Sequence, residues 1–213
     1  MKRVIIDTDD VLRDFVPTLV KVYKKYYPDH EVNDIDTWTL SKHFPIGKSI
    51  YDFFAKEHIA EIFYDTPLMI GAMKFLETLH KDKSIHIILA TSQKSLACRA
   101  VTMQWYLKHS IPHNDIVFTE DKSTIDADFL VDDSPNQLTR ALLKNIQVIS
   151  FTQPWNVEWQ LRYLAEGIEK DKQRTLLKSK TNEEKYNEIY SIIKETKQNK
   201  KVAFNYLEEV KHD

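Results

Sequence analysis

The stretch that decides the fold is residues 3–10, Arg-Val-Ile-Ile-Asp-Thr-Asp-Asp (RVIIDTDD), in which a continuous apolar run ends in acids. Such a run is typical of a strand buried on both faces of a parallel sheet, with polar residues at its carboxyl end. Four further apolar runs follow, at residues 85–90, 116–119, 129–132 and 146–151. Between them, apolar residues recur at helical spacing in residues 69–79, 95–107 and 137–143. This alternation predicts an α/β fold, a doubly wound parallel sheet whose ligand crevice lies beyond the carboxyl ends of the strands.

One long segment interrupts the alternation. Residues 14–65 show helical periodicity without a clear strand, directly after the first strand. We therefore expect a core of residues 1–13 and 66–156, with residues 14–65 inserted as a helical cap near the crevice. Residues 157–213 form an extension rich in Lys and Glu, predicted to be helical, with a solvated linker or frayed end at residues 170–182. Packing on the core is the simpler role for this extension, and homodimer formation is the alternative.

Composition excludes several classes of protein. The 213 residues carry a formal net charge of −2, which offers no general attraction to nucleic acid or to an anionic membrane. No stretch approaches the roughly 20 apolar residues of a membrane-spanning helix, and we expect no secretory signal before the first apolar run. The lone Cys98 excludes an internal disulfide and a thiolate-rich metal site. We therefore expect a cytoplasmic protein that acts on a small molecule.

Acidic side chains follow two of the predicted strands. Asp7 and Asp9 lie two residues apart at the end of the first strand, so both carboxylates can face one side of the crevice. Asp132 and Asp133 stand at the end of the strand at 129–132, which places them at the same edge of a parallel sheet. Oxygen ligands of this kind suit a hard cation, and Mg²⁺ is the cofactor that we expect.

Other parts of the chain supply positive charge and hydroxyl groups for a phosphate. The three glycines are isolated, which excludes a Gly-rich phosphate loop. Lys122 precedes the strand that ends at Asp132, and its ammonium can contact both an attacking carboxylate and a phosphate oxygen. Thr91 and Ser92 follow the strand at 85–90 and offer hydroxyl and backbone donors. Together with the acids, these groups suit phosphoryl transfer through an aspartyl-phosphate.

Four short motifs carry this chemistry, at residues 7–12 (DTDDVL), 90–92 (ATS), Lys122 and 130–133 (LVDD). In order and position they resemble the motifs of the haloacid dehalogenase-like superfamily.

Two longer stretches narrow the resemblance. VLRDF at 11–15 and ADFLVDDSP at 127–135 are similar to the 5'(3')-deoxyribonucleotidases of that superfamily. The resemblance covers residues 2–156 and leaves the extension outside it. It implies a phosphoric monoester hydrolase that acts on nucleoside or deoxynucleoside monophosphates.

The resemblance implies a role for each motif residue. Asp7 would be the nucleophile and a metal ligand. Asp9 would be the general acid/base and would bind the metal through its main-chain carbonyl. Thr91 and Lys122, with Ser92 beside them, would bind the phosphate.

Three further roles and two departures concern the surroundings of the nucleophile. Asp133 would be a metal ligand with Asp132 in a supporting role, and Phe15 would pack on a nucleobase. Asp10 stands where the family often has glycine, and Gln93 stands where proline is common. Both departures are expected at the substrate rim, so they bear on the identity of the substrate more than on catalysis.

The residues leave several alternatives open. A sugar phosphate or a polynucleotide 3'-phosphate is the nearest alternative substrate, and a binding module that has lost turnover is the alternative of another class. Phe15, at the start of an amphipathic segment, fits the cap's own core as well as a base contact. The preferred base and sugar, the 5' or 3' position of the phosphate and the oligomeric state are not specified.

Overall fold

The structure of the protein is a computed structural model that describes residues 1–165, 174–177 and 180–196. Its strands are β1 (Lys2–Ile6), β2 (Ile85–Thr91), β3 (Asp115–Phe118), β4 (Phe129–Asp132), β5 (Gln147–Ser150) and β6 (Arg174–Leu176). They form one parallel sheet in the order β3-β2-β1-β4-β5-β6. The first five strands are those that the apolar runs predict, and the predicted doubly wound α/β fold is confirmed.

Helices cover both faces of the sheet. They are α1 (Phe15–Tyr26), α2 (Ile50–Asp52), α3 (Ala72–Lys81), α4 (Leu96–Lys108), α5 (Pro135–Leu143), α6 (Val157–Ala165) and α7 (Asn182–Glu195). Successive side chains of β1 pack into different cores, since neighbouring residues of a strand face opposite sides of the sheet. Val4 and Ile6 join the core that contains Ile189 of α7, whereas Ile5 joins the core that contains Leu138 of α5.

The register of the strands brings the predicted site residues together. Ile6 of β1 lies beside Leu89 of β2 on one side and Val131 of β4 on the other. The residues that follow in each strand therefore meet at the same edge of the sheet, where a doubly wound fold forms its ligand crevice.

Residues 14–65, all of which the structure describes, contain no strand. Besides α1 and α2 they form short 3₁₀ and π turns, at Leu40–Lys42, Gly47–Ser49, Phe53–Glu57 and Ala60–Tyr64. Their apolar side chains surround Tyr23 and Phe53 in a hydrophobic cluster of their own, which Cys98 of α4 also joins. Residues 27–39 form no helix, because Pro28 cannot continue α1. The segment is therefore less helical than its periodicity predicts.

The extension after residue 156 contributes the strand β6 and the helices α6 and α7. Ile189 and Ile193 of α7 are fully buried in the main core, and Tyr186 stacks on Phe75 of α3 at 4.9 Å between ring centroids. The apolar face of α7 is thus used within the chain, as the simpler interpretation has it. Within the described residues, nothing supports a role of this face in a homodimer.

The prediction of a solvated linker or frayed end at residues 170–182 is wrong for residues 174–176. Arg174–Leu176 forms β6 and pairs in parallel with Val148, Ile149 and Ser150 of β5. Three residues are too few to show a strand period, so only the open edge of β5 reveals this pairing. Residues 197–213 of the predicted helical extension lie outside the described residues. No helix in the described ranges is long and apolar enough to cross a membrane.

Candidate active site

A single pocket gathers the predicted site residues at the carboxyl edge of the sheet. The cavity measures about 760 Å³, within the range of small-molecule sites. Its lining includes all the predicted catalytic, phosphate-binding, metal-binding and base-contacting residues, namely Asp7, Asp9, Phe15, Thr91, Ser92, Lys122, Asp132 and Asp133.

Three buried carboxylates form the floor of this pocket. Oxygens of Asp7, Asp132 and Asp133 all lie within 4.8 Å of one another. The ammonium of Lys122 lies between two of them, donating hydrogen bonds to Asp7 and, at 2.6 Å, to Oδ2 of Asp132. Lys122 is only 2% exposed, although an isolated lysine of this sequence would be expected on the surface. The main chain at Lys122 is fixed in turn by Gln137, whose Oε1 accepts its N–H at 3.0 Å.

Burial and mutual repulsion perturb the titration of these groups. Burial raises the pKa of Asp7 to about 7, with the carboxylates of Asp132 and Asp9 adding to the rise and Lys122 opposing it. Burial also raises the pKa of Asp133 well above its usual range, and the neighbouring Asp132 and Asp7 raise it further. Although burial acts against its charge, the carboxylates of Asp132 and Asp7 hold the pKa of Lys122 above its usual value.

The charge balance and donor atoms of this floor fit a divalent cation. One ammonium faces three carboxylates whose oxygens are close enough to share an ion. All three donors are carboxylate oxygens, the ligands that Mg²⁺ prefers. A cation bound there would offset the repulsion that raises the pKa values of Asp7 and Asp133.

The two adjacent acids at the end of β4 differ in their partners. Both oxygens of Asp132 accept hydrogen bonds from the protein, Oδ2 from Lys122 and Oδ1 from the main-chain N–H of Ser134 at 2.8 Å. Asp133 accepts at Oδ2 from the indole N–H of Trp155 at 2.7 Å. Within the described part of the chain, that is the one hydrogen bond to its carboxylate, so Asp133 keeps more capacity for a metal.

Trp155 belongs to a loop that sequence reasoning missed. Asn156 donates from Nδ2 to the main-chain carbonyls of Asp133 at 2.9 Å and of Phe151 at 2.8 Å. Gln153 donates from Nε2 to the main-chain carbonyl of Asp10 at 2.7 Å. The loop follows β5 at the same sheet edge as the acids, and polar side chains directly after a predicted strand are the pattern that could have revealed it.

The carboxylate of Asp9 lies apart from the acidic floor and is paired with an arginine. Oδ1 of Asp9 accepts from Nε of Arg13 at 2.7 Å and lies 2.6 Å from its Nη2. The guanidinium is fully buried, while the side chain of Asp9 is 25% exposed and lines the pocket. Sequence reasoning missed Arg13 too, since its spacing from Asp9 within a loop predicts no contact.

The phosphate-binding candidates stand at the end of β2. Thr91 is 2% exposed and ends the strand, whereas the following Ser92 is exposed at the pocket. Gln137 orients this corner, donating from Nε2 to Oγ of Ser92 at 3.2 Å and to the carbonyl of Glu120 at 2.9 Å. Gln137 was not predicted, and no pattern in the sequence distinguishes it from other residues of α5.

Aromatic side chains from the inserted segment form the opposite wall. Phe15 is only 7% exposed, and its ring meets those of Phe54 and Phe63 at centroid distances of 5.5 and 5.4 Å. Phe15 therefore belongs to this hydrophobic cluster and also lines the pocket, while its contact with a nucleobase stays a prediction. Trp38 and Tyr51 also line the pocket and are 51% and 41% exposed, so they present most of the accessible ring surface.

The two departures from the family pattern are explained by local structure. Asp10 adopts a left-handed backbone with φ of 57°, which favours glycine but which aspartate tolerates when its side chain is hydrogen-bonded locally. Its Oδ1 accepts the N–H of Val16 at 2.9 Å. Gln93 is 9% exposed, and in the amide orientation that satisfies both atoms its oxygen lies 2.9 Å from Nη2 of Arg13. Both residues line the pocket, as expected.

The sheet order, the acids after β1 and β4 and the lysine between them are set on the fold of haloacid dehalogenase-like hydrolases. A haloacid dehalogenase-like hydrolase from Streptococcus pneumoniae has the same fold, with a TM-score of 0.60 at 12% identity over 90% of this chain and 97% of that chain.

Sequence comparison identifies the family. Residues 1–182 match the family model described as "5' nucleotidase, deoxy (Pyrimidine), cytosolic type C protein", and the chain belongs to this family. It is 29% identical over 139 residues to the 5'(3')-deoxyribonucleotidase of Clostridium acetobutylicum, covering 62% of this chain and 73% of the relative. It is 25% identical over 143 residues to that of Bacillus subtilis, covering 65% and 80%.

Membership confirms the resemblance and the prediction of a phosphoric monoester hydrolase of the nucleotidase type. The family match extends beyond residue 156, where the resemblance ended, to residue 182. It thus includes β6, the strand that the sequence did not predict.

Proposed function

We propose that the protein is a Mg²⁺-dependent 5'(3')-deoxyribonucleotidase that hydrolyses deoxynucleoside monophosphates through an aspartyl-phosphate on Asp7. One observation carries the proposal: Asp7 lies at the floor of an aromatic-walled pocket, in contact with Lys122 and beside Asp133. The names of the relatives support the same substrate class.

Asp7, Asp133 and the main-chain carbonyl of Asp9 would hold the Mg²⁺, with Asp132 fixing Lys122 beside them. The cation would neutralise part of the charge that develops on the transferring phosphoryl group. Lys122 already contacts the nucleophile, so it can also meet a phosphate oxygen, and Thr91 and Ser92 lie at the end of the adjacent strand.

In the first step, a carboxylate oxygen of Asp7 attacks phosphorus and the bond to the leaving oxygen breaks. Asp9 gives its proton to that oxygen, so the nucleoside leaves as a neutral alcohol. In the second step, Asp9 takes a proton from water as the water oxygen attacks the same phosphorus. The bond from phosphorus to Asp7 then breaks, which restores both carboxyl groups and releases inorganic phosphate.

The aromatic wall favours a substrate that carries a nucleobase over a sugar phosphate. Phe15, Trp38 and Tyr51 provide ring faces in a cavity much larger than a phosphate group needs. A sugar phosphate would leave these rings without a planar partner.

We assign residues 1–13 and 66–156 to the core, residues 14–65 to a cap that carries the wall, and residues 157–213 to the extension. The buried, reduced Cys98 is consistent with a cytoplasmic location.

A substrate panel tests this function. Phosphate release should be measured with Mg²⁺ for 5'- and 3'-deoxynucleoside monophosphates, ribonucleoside monophosphates, sugar phosphates and a 3'-phosphorylated oligonucleotide. The proposal expects the highest kcat/KM for a deoxynucleoside monophosphate, with activity lost in EDTA and in Asp7→Asn. A sugar phosphate or the oligonucleotide as preferred substrate would refute the nucleotidase assignment. Absence of any turnover would favour the binding module.

A further inference from the structure

Arg13 lies where the inserted segment leaves and rejoins the core. The N–H of Asp14 donates to the carbonyl of Pro67 at 3.1 Å, and the N–H of Met69 donates to the carbonyl of Leu12 at 2.8 Å. Arg13 itself forms an isolated antiparallel β-bridge with Leu68, which joins the two connections. The two connections therefore lie side by side, and the side chain of Arg13 starts from the point where they meet.

The guanidinium of Arg13 contacts the insert and the core together. Nη1 donates to the main-chain carbonyl of Phe63 in the insert at 3.0 Å, and both Nη atoms donate to Oγ1 of Thr102 in α4, at 3.2 and 3.3 Å. Its carbon Cζ lies 4.9 Å from the ring centroid of Phe63 and 5.0 Å from that of Trp105. A fully buried arginine held between two rings and two acceptors has one geometry available, because its planar fork fixes the direction of each donor.

The remaining donors of this rigid group bind the acid. Nε and Nη2 both reach Oδ1 of Asp9, at 2.7 and 2.6 Å. One carboxylate oxygen is thus fixed by two donors, which sets the rotamer of Asp9, and its other oxygen, Oδ2, lies at the pocket 3.4 Å from the side-chain amide of Gln93. A surface ion pair would lack this effect, since its partners could rotate freely.

We propose that Arg13 is a positioning residue, which orients the carboxyl group of Asp9 toward the leaving oxygen. Because Arg13 also contacts the insert, this orientation depends on how the insert packs on the core. The inference rests on the proposed function, in which Asp9 is the general acid. In the described residues Arg13 makes no hydrogen bond or ion pair with the carboxylates of Asp7, Asp132 and Asp133, so its loss should affect proton donation selectively.

The test compares two base-free substrates of similar size, benzyl phosphate and p-nitrophenyl phosphate. Benzyl alcohol is a poor leaving group that needs the proton, whereas p-nitrophenolate leaves without it. The quantity measured is kcat/KM, because it reports on the steps up to departure of the leaving group and not on hydrolysis of the aspartyl-phosphate.

Arg13→Met should lower kcat/KM for benzyl phosphate by about 10- to 100-fold, a part of the roughly 100- to 10,000-fold that a general acid contributes. The loss for p-nitrophenyl phosphate should be less than about three-fold. Arg13→Lys should recover part of the loss, since lysine keeps the charge but not the fork. Arg13→Met combined with Asp9→Asn should be no worse than Asp9→Asn alone, because the two residues act as one unit.

Lys108→Met is the matched control. Lys108 also joins α4 to the insert, donating to the carbonyl of Tyr64 at 3.0 Å with its ammonium 4.3 Å from the Tyr64 ring, but it does not contact Asp9. Its loss should leave the ratio of the two kcat/KM values unchanged.

The outcomes separate this inference from the proposed function. If Asp9→Asn itself lowers kcat/KM equally for both substrates, the acid role proposed for Asp9 fails. If Asp9→Asn lowers kcat/KM mainly for benzyl phosphate but the folded Arg13→Met variant lowers it equally for both substrates, only the role of Arg13 is refuted. Should Arg13→Met not fold, Thr102→Val decides, since it removes the hydroxyl that accepts from both Nη atoms and keeps the shape of the side chain. A selective loss of about three-fold supports the inference, and an unchanged ratio overturns it.

Discussion

Magnesium should bind this protein more weakly as the pH falls from 8 to 5. The reason is the raised pKa of Asp7, which burial brings to about 7 in the metal-free protein. A carboxylate must be ionised to bind the metal, so Mg²⁺ and a proton compete for Asp7 across this range. An ordinary aspartate, with a pKa of about 4, would be ionised throughout and would show no such competition.

The size of the effect follows from the fraction of Asp7 that is ionised. With a pKa of about 7, nearly all Asp7 is ionised at pH 8 and about one molecule in a hundred at pH 5. The apparent Kd for Mg²⁺ should therefore rise by about 100-fold, or about 2.7 kcal/mol. Asp133, whose pKa is also raised well above its usual range, acts in the same direction.

Isothermal titration calorimetry at pH 8, 6 and 5 measures this directly. At pH 7, titrations in two buffers of different ionisation enthalpy should show release of about half a proton from Asp7 per Mg²⁺ bound. Asp10→Asn is the control, because Asp10 is a nearby buried acid of raised pKa that is not proposed to bind metal. It should keep the pH dependence. An Mg²⁺ affinity that does not change between pH 8 and 5 would refute the reasoning.

Three substitutions give further predictions. Asp7→Asn should reduce turnover to background, yet make the metal-free protein more stable at pH 8 in urea unfolding. The pKa of Asp7 is about 4 in the unfolded chain and about 7 in the folded protein, so its contribution to the free energy of unfolding is full below about pH 4 and is lost as the pH rises to 7. The loss is at most about 4 kcal/mol, and asparagine avoids it because it does not ionise. Phe15→Leu should raise KM for a deoxynucleoside monophosphate by about ten-fold, at roughly 1–3 kcal/mol per stacked base, and leave p-nitrophenyl phosphate nearly unchanged; equal losses would contradict the base contact. Trp155→Phe should raise the Kd for Mg²⁺ by about 10- to 100-fold through the lost hydrogen bond to Asp133, while kcat at saturating Mg²⁺ stays near normal; an unaltered Kd would exclude this role.

The strands and acids could be predicted from the sequence because both follow from local pattern. A strand buried on both faces must be apolar throughout, so β1 and β4 are visible as runs that end in acids. Parallel pairing then places Asp7 and Asp132 at one edge without further information. Lys122 could be included because it lies a short way before β4 in the sequence.

The groups that orient these residues could not be predicted, because their contacts cross the chain. Arg13 meets Phe63 and Thr102 at sequence separations of 50 and 89 residues. Trp155 meets Asp133 from the loop after the next strand. Periodicity reports which face of an element is buried, but not which polar side chains share that interior. The same limit explains β6, a three-residue edge strand that is defined by its neighbour and not by its own pattern.

The central claim, phosphoryl transfer through Asp7, is tested most directly with Asp9→Asn and p-nitrophenyl phosphate in the presence of Mg²⁺. The first step needs little acid with this substrate, whereas hydrolysis of the aspartyl-phosphate needs the base that the variant lacks. Acid quenching followed by mass spectrometry of the digested protein should find one phosphoryl group on Asp7, formed together with a burst of about one p-nitrophenol per enzyme. Steady release of p-nitrophenol from an unmodified protein, or a phosphoryl group on any other residue, would contradict the account.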